Sequence, residues 1–435
     1  MDEPPGETKA LMFSSFLPLP FRILLLVQLG VTLWFMLNLL LYNLSSSINI
    51  LQLLNLSYTK HNYAQLDNHV LSSGEFATTI PADRKENLRL IKGIWATLRS
   101  ISIFNFVCWL IFKGLQYYGK DLKMIYYSIL LVSFTHLFYK LFYKTAATPG
   151  QIRVFTTMKR ILCGSINSRS MRANDILISD SLVSFGKVLN DFALFVWCYC
   201  IGEASAYDFR LEFVVLCIPI FIRIKQCWYE YSITQKPQHL LNLVKYSTGF
   251  GPLVVNSLIK NRLLSSSAEE RDSGDLIQHL TNLNHWWYFL SALNSIYSFI
   301  WDIKMDWHLQ LFNKVINPRE KFSVLRPYKA YPNIVYILAI SIDFLLRFIW
   351  VLKLFIINEE LRSDTKISYL HIFSTFLFGY DVYSFGYHII EILEIFRRWV
   401  WCFIKLESDW VQLKYEDRAV FALNELVKDE NNKST

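Results

Sequence analysis

What most limits this chain is a succession of at least eight apolar runs, each about 20 residues long, which take up most of its 435 residues. A run of that length is what an α-helix needs to cross the hydrocarbon of a bilayer. At 53% hydrophobic and 16% aromatic residues, the chain is too apolar for an ordinary soluble domain. The predicted fold is therefore all-α, a polytopic transmembrane helix bundle. The net charge is +8, but the basic residues fall between the apolar runs rather than on one surface. Orientation in the bilayer explains them, and nucleic acid is not a partner.

The first run, 21–44, is too long for the core of a cleaved signal peptide and follows a short, flexible, proline-bearing leader, 1–20. Further spans are expected at 91–115, 124–142, 176–201, 209–229, 240–262, 283–303, 333–357 and 368–400. The stretch 45–60 is apolar but short, so the count is about ten with it and nine without it. From Lys140 to Arg172 there are seven basic residues and no acidic one. Such a loop belongs on the cytosolic side, either as a plain topogenic signal or as a phosphoinositide patch. Alternation then puts 202–210 and the polar hairpin 265–275 in the lumen. The tail from Ser408 reads as a solvated, frayed cytosolic end.

The seven cysteines lie mostly inside apolar runs and are odd in number, which is no disulfide framework. Cys198 and Cys200 flank a single tyrosine without the two-residue gap of a zinc knuckle, and the nine histidines are scattered. Neither a metal nor a cofactor is expected. The sequons at Asn43 and Asn55 lie at membrane edges and are expected to stay unmodified.

One apolar run ends in two acids. In HWWYFLSALNSIYSFIWDIKMDW, 285–307, Asp302 and Asp306 stand four residues apart and would share one helix face, with Lys304 rotated away. Carboxylates at a membrane end need a polar cavity or cationic partners. Candidate cations are Arg347, four residues after Asp343, and the doublet Arg397–Arg398. Each has a structural alternative. Asp343–Arg347 could be a self-contained i,i+4 pair, Lys245 a snorkelling lysine, Arg397–Arg398 a cytosolic stop, and the acid pair a headgroup anchor. Trp286, Trp287 and Trp350 could belong to interface belts.

WDIKMDW, with DFLLRFIW and FRRWVW followed by Lys405–Leu406–Glu407, resembles the EXS domain of eukaryotic phosphate exporters. The likeness runs from about Asp175 to Glu407 and weakly back to Phe21. It divides the chain into a leader, 1–20; N-terminal helices with the basic loop, 21–172; an EXS transport core, 173–407; and a cytosolic tail, 408–435. The resemblance implies a phosphate-handling set of Asp180, Lys245, Tyr246, Asp302, Asp306, Arg347, Trp350, Arg397 and Arg398, with Arg223, Asp343 and Glu394 along the pathway. The chain departs from the family's pattern at Val183 and at Tyr229–Glu230–Tyr231, which puts selectivity and the cytosolic exit in doubt.

Arginine suits such a site because its guanidinium stays charged and pairs bidentately with phosphate oxygens. Most family members begin with an SPX domain that senses inositol pyrophosphates, and the residues before Phe21 cannot hold one. That arrangement resembles an SPX-lacking fungal Golgi branch needed for retention of luminal proteins of the endoplasmic reticulum. It implies a transporter, not an enzyme, that returns phosphate released by glycosylation from the Golgi lumen to the cytosol. The rival from another class is a sorting or scaffold protein binding glycosyltransferases or coat components. Partners to consider are inorganic phosphate, membrane lipids, glycosyltransferases or Golgi sorting factors, and a second copy of the chain.

Overall fold

The structure, a computed structural model, describes residues 13–44, 48, 53–54, 84–117, 123–142, 149–163, 172–201, 208–266, 274–316, 323–355, 369–378 and 384–433. Among these residues the fold is helical throughout, with no strand. The helices are α1 (Leu19–Leu44), α2 (Arg84–Tyr117), α3 (Lys123–Phe142), α4 (Pro149–Cys163), α5 (Arg172–Ser184), α6 (Gly186–Ile201) and α7 (Phe209–Thr234). They continue as α8 (Pro237–Thr248), α9 (Phe250–Ser265), α10 (Gly274–Trp301), α11 (Asn313–Ile316), α12 (Asn333–Arg347), α13 (Tyr369–Phe378) and α14 (Phe385–Lys433).

Three segments, Leu19–Asn43, Asn87–Tyr117 and Ile125–Phe142, are each long and apolar enough to cross a membrane alone. Their outward faces carry large apolar side chains in the open, such as Ile103, Phe106 and Leu110 on α2 and Leu131 and Val132 on α3. In water such a surface would be an aggregation hazard, whereas lipid matches it. On α10, Trp286, Phe289 and Ile296 are exposed in the same way.

Several expected spans are broken rather than straight. The run 176–201 is two helices, α5 and α6, bent by 64° at Phe185. Gly30 of α1 makes room for that corner, because a Cβ there would meet Phe185 Cζ at 3.0 Å. The run 333–357 bends by 43° after Arg347, into a 3₁₀ turn over Ile349–Leu352. The run 240–262 divides at Gly249 into α8 and α9. Of 368–400, only Tyr369–Phe378 and the residues from Phe385 onward are helical among those described, so one span is replaced by two elements. Gly386 allows α14 to start hard against α13, since a methyl there would fall on the Phe376 carbonyl oxygen.

α14 has 49 residues and a length of about 70 Å, more than twice the hydrocarbon thickness. It packs against α1, α5, α12, α13 and the turn that ends α10. The solvated tail expected from Ser408 is corrected at its start: the helix continues through it, and Ser408 and Trp410 are buried. The leader is corrected too at its C-terminal end, where Phe13 packs edge-on against Phe385 at 5.1 Å. Of 45–60, only Ile48, Leu53 and Leu54 are described, and they join the core around Leu37, Trp307 and Trp401. The sequon serine Ser45 and the Asn55 sequon lie outside the described residues.

Candidate functional site

Where α10 runs out, Asp302–Asp306 form one π-helical turn. It is closed by the Trp307 N–H donating to the Asp302 carbonyl at 2.9 Å. Such turns are rare and frequent at functional sites. The α-helical face expected for the acid pair is thus a π turn instead, and His308 follows in the left-handed region with φ 53°, carrying the chain off the helix axis. Both carboxylates still converge on one cation. Lys245 Nζ lies 3.5 Å from Asp302 Oδ1 and 3.8 Å from Asp306 Oδ2. Lys245 is buried, beneath the Tyr246 and Trp301 rings at 4.8 and 5.7 Å. It does not snorkel.

Arg347 Nε donates to both Asp343 oxygens, at 3.1 and 3.0 Å. Its Nη2 pairs with Asp302 on α10's turn. Asp343 also accepts from Arg397 Nη1 at 3.2 Å, so the i,i+4 pair is not self-contained. Arg397 in turn chelates Glu394, through Nε at 3.0 Å and Nη2 at 2.6 Å. Arg397 and Arg398 are 5% and 7% exposed, which places them inside the bundle rather than at a helix stop.

Asp180 on α5 pairs with Arg223 Nε at 2.8 Å and accepts from the Tyr246 hydroxyl at 2.5 Å. Arg398 Nη1 lies 4.0 Å from the other Asp180 oxygen. Arg398 Nε donates to Ser184 Oγ at 3.0 Å, and Ser184 donates to Glu394 at 2.8 Å. Arg398 Nη1 has no hydrogen-bond partner among the described residues. An orphaned buried donor costs on the order of 1–3 kcal/mol. Trp350 stands apart from the charges: its Nε1 donates to Ser295 Oγ at 2.9 Å, and Ser295 donates to the Arg347 carbonyl at 3.1 Å.

A cavity of about 370 Å³ adjoins this network, far larger than the ~30 Å³ share of one water. Asp180, Arg223, Tyr246 and Asp306 line it, together with Glu230, His239, Lys405 and Asp409. Asp302, Lys245, Arg347, Arg397 and Arg398 stand behind that wall, joined to it by the pairs above. Burial, with Lys405 nearby, pushes the His308 imidazole down to about 4, so it lines the cavity uncharged and shares a hydrogen bond with Ser408 Oγ through Nδ1 at 3.1 Å. Desolvating so many charges is expensive, and membrane proteins keep them where they act.

Some participants were not read from the sequence. Lys405 faces Asp306 at 3.8 Å and pairs with Asp409 at 2.8 Å. Arg326 pins the 323–332 segment to α14, pairing with Glu407 and donating to the Trp307 carbonyl at 2.6 Å. A second buried cluster joins Arg22, Asp191 and Glu391. A charged residue within or at the end of an apolar run is the signal that would have found the last three.

The fold and the site together define a polytopic α-helical membrane protein with a charged cavity between its helices. Residues 17–411 match the EXS family, and the chain belongs to that family. It is similar to Protein ERD1 of Saccharomyces cerevisiae, 28% identical over 292 residues, which is 67% of this chain and 68% of that protein. Protein ERD1 homolog 1 of Schizosaccharomyces pombe is 25% identical over 354 residues, 76% of this chain and 81% of that one. Human solute carrier family 53 member 1 is 30% identical over 220 residues, half of this chain (50%) but 27% of the relative.

Proposed function

We propose that this protein carries inorganic phosphate across the membrane through the cavity beside Asp180 and Asp306. The observation that carries the reading is the set of buried arginines, with Arg223 in the cavity wall and Arg398, which keeps an unused donor, directly behind Asp180 of that wall. An oxyanion leaves water only where fixed donors replace its hydration, and guanidinium groups do this with matching geometry. The carboxylates Asp343, Glu394 and Asp302 hold Arg347 and Arg397 in place while the site is empty. Family membership supports the reading, as does a relative named as a solute carrier.

The direction we propose is from the Golgi lumen to the cytosol, recycling phosphate released by glycosylation. Support for glycosyltransferase recycling and for retention of luminal proteins of the endoplasmic reticulum would follow indirectly. The transport core is taken as 173–407, preceded by the N-terminal helices, and the protein acts as a transporter rather than an enzyme. Neutralising Arg397 and Arg398 separates it from a scaffold that binds glycosyltransferases or coat components. In doubly neutralised protein that still reaches its membrane folded, retention in cells fails if transport is the function and persists if scaffolding is.

A further inference from the structure

On the far side of the Phe185 bend from Asp180 and Ser184, α6 buries Asp191, which is 0% exposed. Facing it from α14 is Glu391, 2% exposed. Between them lies one guanidinium. Arg22 Nη2 pairs with Asp191 Oδ2 at 2.8 Å, while its Nε is 3.9 Å from Glu391 Oε2. Asp191 Oδ1, Glu391 Oε1 and Arg22 Nε all lack a hydrogen-bond partner among the described residues.

The surroundings supply a second positive charge only at longer range, from Lys187, which acts on both carboxylates without pairing with either. Lys187, on the same helix as Asp191, rests its ammonium 5.0 Å from the Tyr387 ring centroid and makes no ion pair among the described residues. Glu212 of α7 faces the same space and is held by Lys260 of α9 at 2.5 Å. Lys353, after α12, also faces Lys187. His388 Nδ1 lies 3.4 Å from Glu391 Oε2, and Glu394 stands one turn further along α14. Two buried carboxylates around one arginine, each with an idle oxygen, is an arrangement that a single shared proton satisfies: it removes one charge and supplies the missing donor.

We propose that Asp191 and Glu391 form a proton-binding site that couples proton movement to passage of the anion. The coupling route is short. Glu391 and Glu394 are successive turns of α14, and Glu394 holds Arg397 and Ser184 of the anion site. The two sites also flank the single bend between α5 and α6. Deprotonating the pair leaves one carboxylate that Arg22 cannot neutralise and that Lys187 meets only at a distance, which favours a shift of α6 against α14 at that bend.

The proton site is testable without transport, while the coupling rests on the phosphate reading. In infrared spectra of the purified full-length protein near neutral pH, a deuterium-sensitive carboxylic-acid carbonyl band is expected. It should vanish in both Asp191→Asn and Glu391→Gln, because the one carboxylate left beside Arg22 ionises. A protonated acid and its amide have the same shape, so both variants should accumulate as folded protein. Absence of the band in the unmutated protein, its persistence in both variants, or failure of both to fold overturns the proton site. In liposomes with the potential clamped, phosphate flux should follow an imposed pH gradient, and Glu391→Gln should lose that dependence. Flux indifferent to the gradient overturns the coupling. If the unmutated protein carries no phosphate under any gradient, the phosphate reading fails and the infrared result still decides the proton site.

Discussion

Arg397 on α14 donates through Nη1 to Asp343 Oδ1 on α12 at 3.2 Å, inside the bundle, where each side chain already holds a second partner. The contact ties the long central helix to the helix carrying Arg347.

Breaking that tie should be costly on both sides. Arg397→Gln leaves Glu394 without its chelating cation, and loss of one member of a buried pair costs on the order of 3–5 kcal/mol. Adding Asp343→Asn should cost less than the sum of the two single changes, with a coupling of roughly 0.5–3 kcal/mol. Thermal unfolding in detergent of the two single variants and the double variant measures it. Strict additivity would mean that the two residues do not interact.

Charge alone should not replace the guanidinium. Arg347→Lys removes the fork that reaches Asp343 and Asp302 together, and Arg398→Lys removes the donor to Ser184. Each lost charge-assisted contact is worth about 1.5–3 kcal/mol, so phosphate flux should fall roughly tenfold to a hundredfold. Flux at the unmutated rate in both variants would make these arginines simple charges.

The corner between α13 and α14 depends on a missing side chain. Gly386→Ala places a methyl on the Phe376 carbonyl and should destabilise the protein by about 1–3 kcal/mol, as overpacking does. A melting temperature equal to that of the unmutated protein would show that the helices separate there freely.

The basic loop 140–175 and the chain end should lie on one side of the membrane. Single cysteines at Ser168 and Ser434, in a cysteine-free background, should react with the same impermeant reagent in sealed vesicles. Opposite accessibility would mean that an odd number of spans lies between them.

Helices and charged groups were legible in the sequence to different depths. Long apolar runs give α1 and α3 to within two residues, and α2 except for its polar start, which begins at Arg84 rather than 91, because lipid asks only for length and hydropathy. The bends after Ser184 and Arg347 were not legible, since an apolar run has the same composition whether straight or broken. Asp302, Asp306, Asp343, Arg347, Arg397 and Arg398 stood out as charges in apolar surroundings, and the structure brings them into one network. Which acid meets which base was not readable, because Lys245 and Asp302 are 57 positions apart. Arg22 was hidden by its place at the edge of the first run, where an arginine looks like an anchor, although folding buries it to 1% exposure. The π turn left no sign at all, since Asp302–Asp306 have the same composition in an α or a π turn.

The central claim is that the buried arginines and carboxylates pass phosphate. The most direct measurement is uptake of radiolabelled inorganic phosphate by liposomes that contain only this protein, compared with Arg398→Ala and Asp306→Asn at equal protein content. Saturable uptake by the unmutated protein, collapsed in Arg398→Ala and weakened in Asp306→Asn, is the predicted result. Uptake no faster than in protein-free liposomes, or equal uptake by all three proteins, would contradict it.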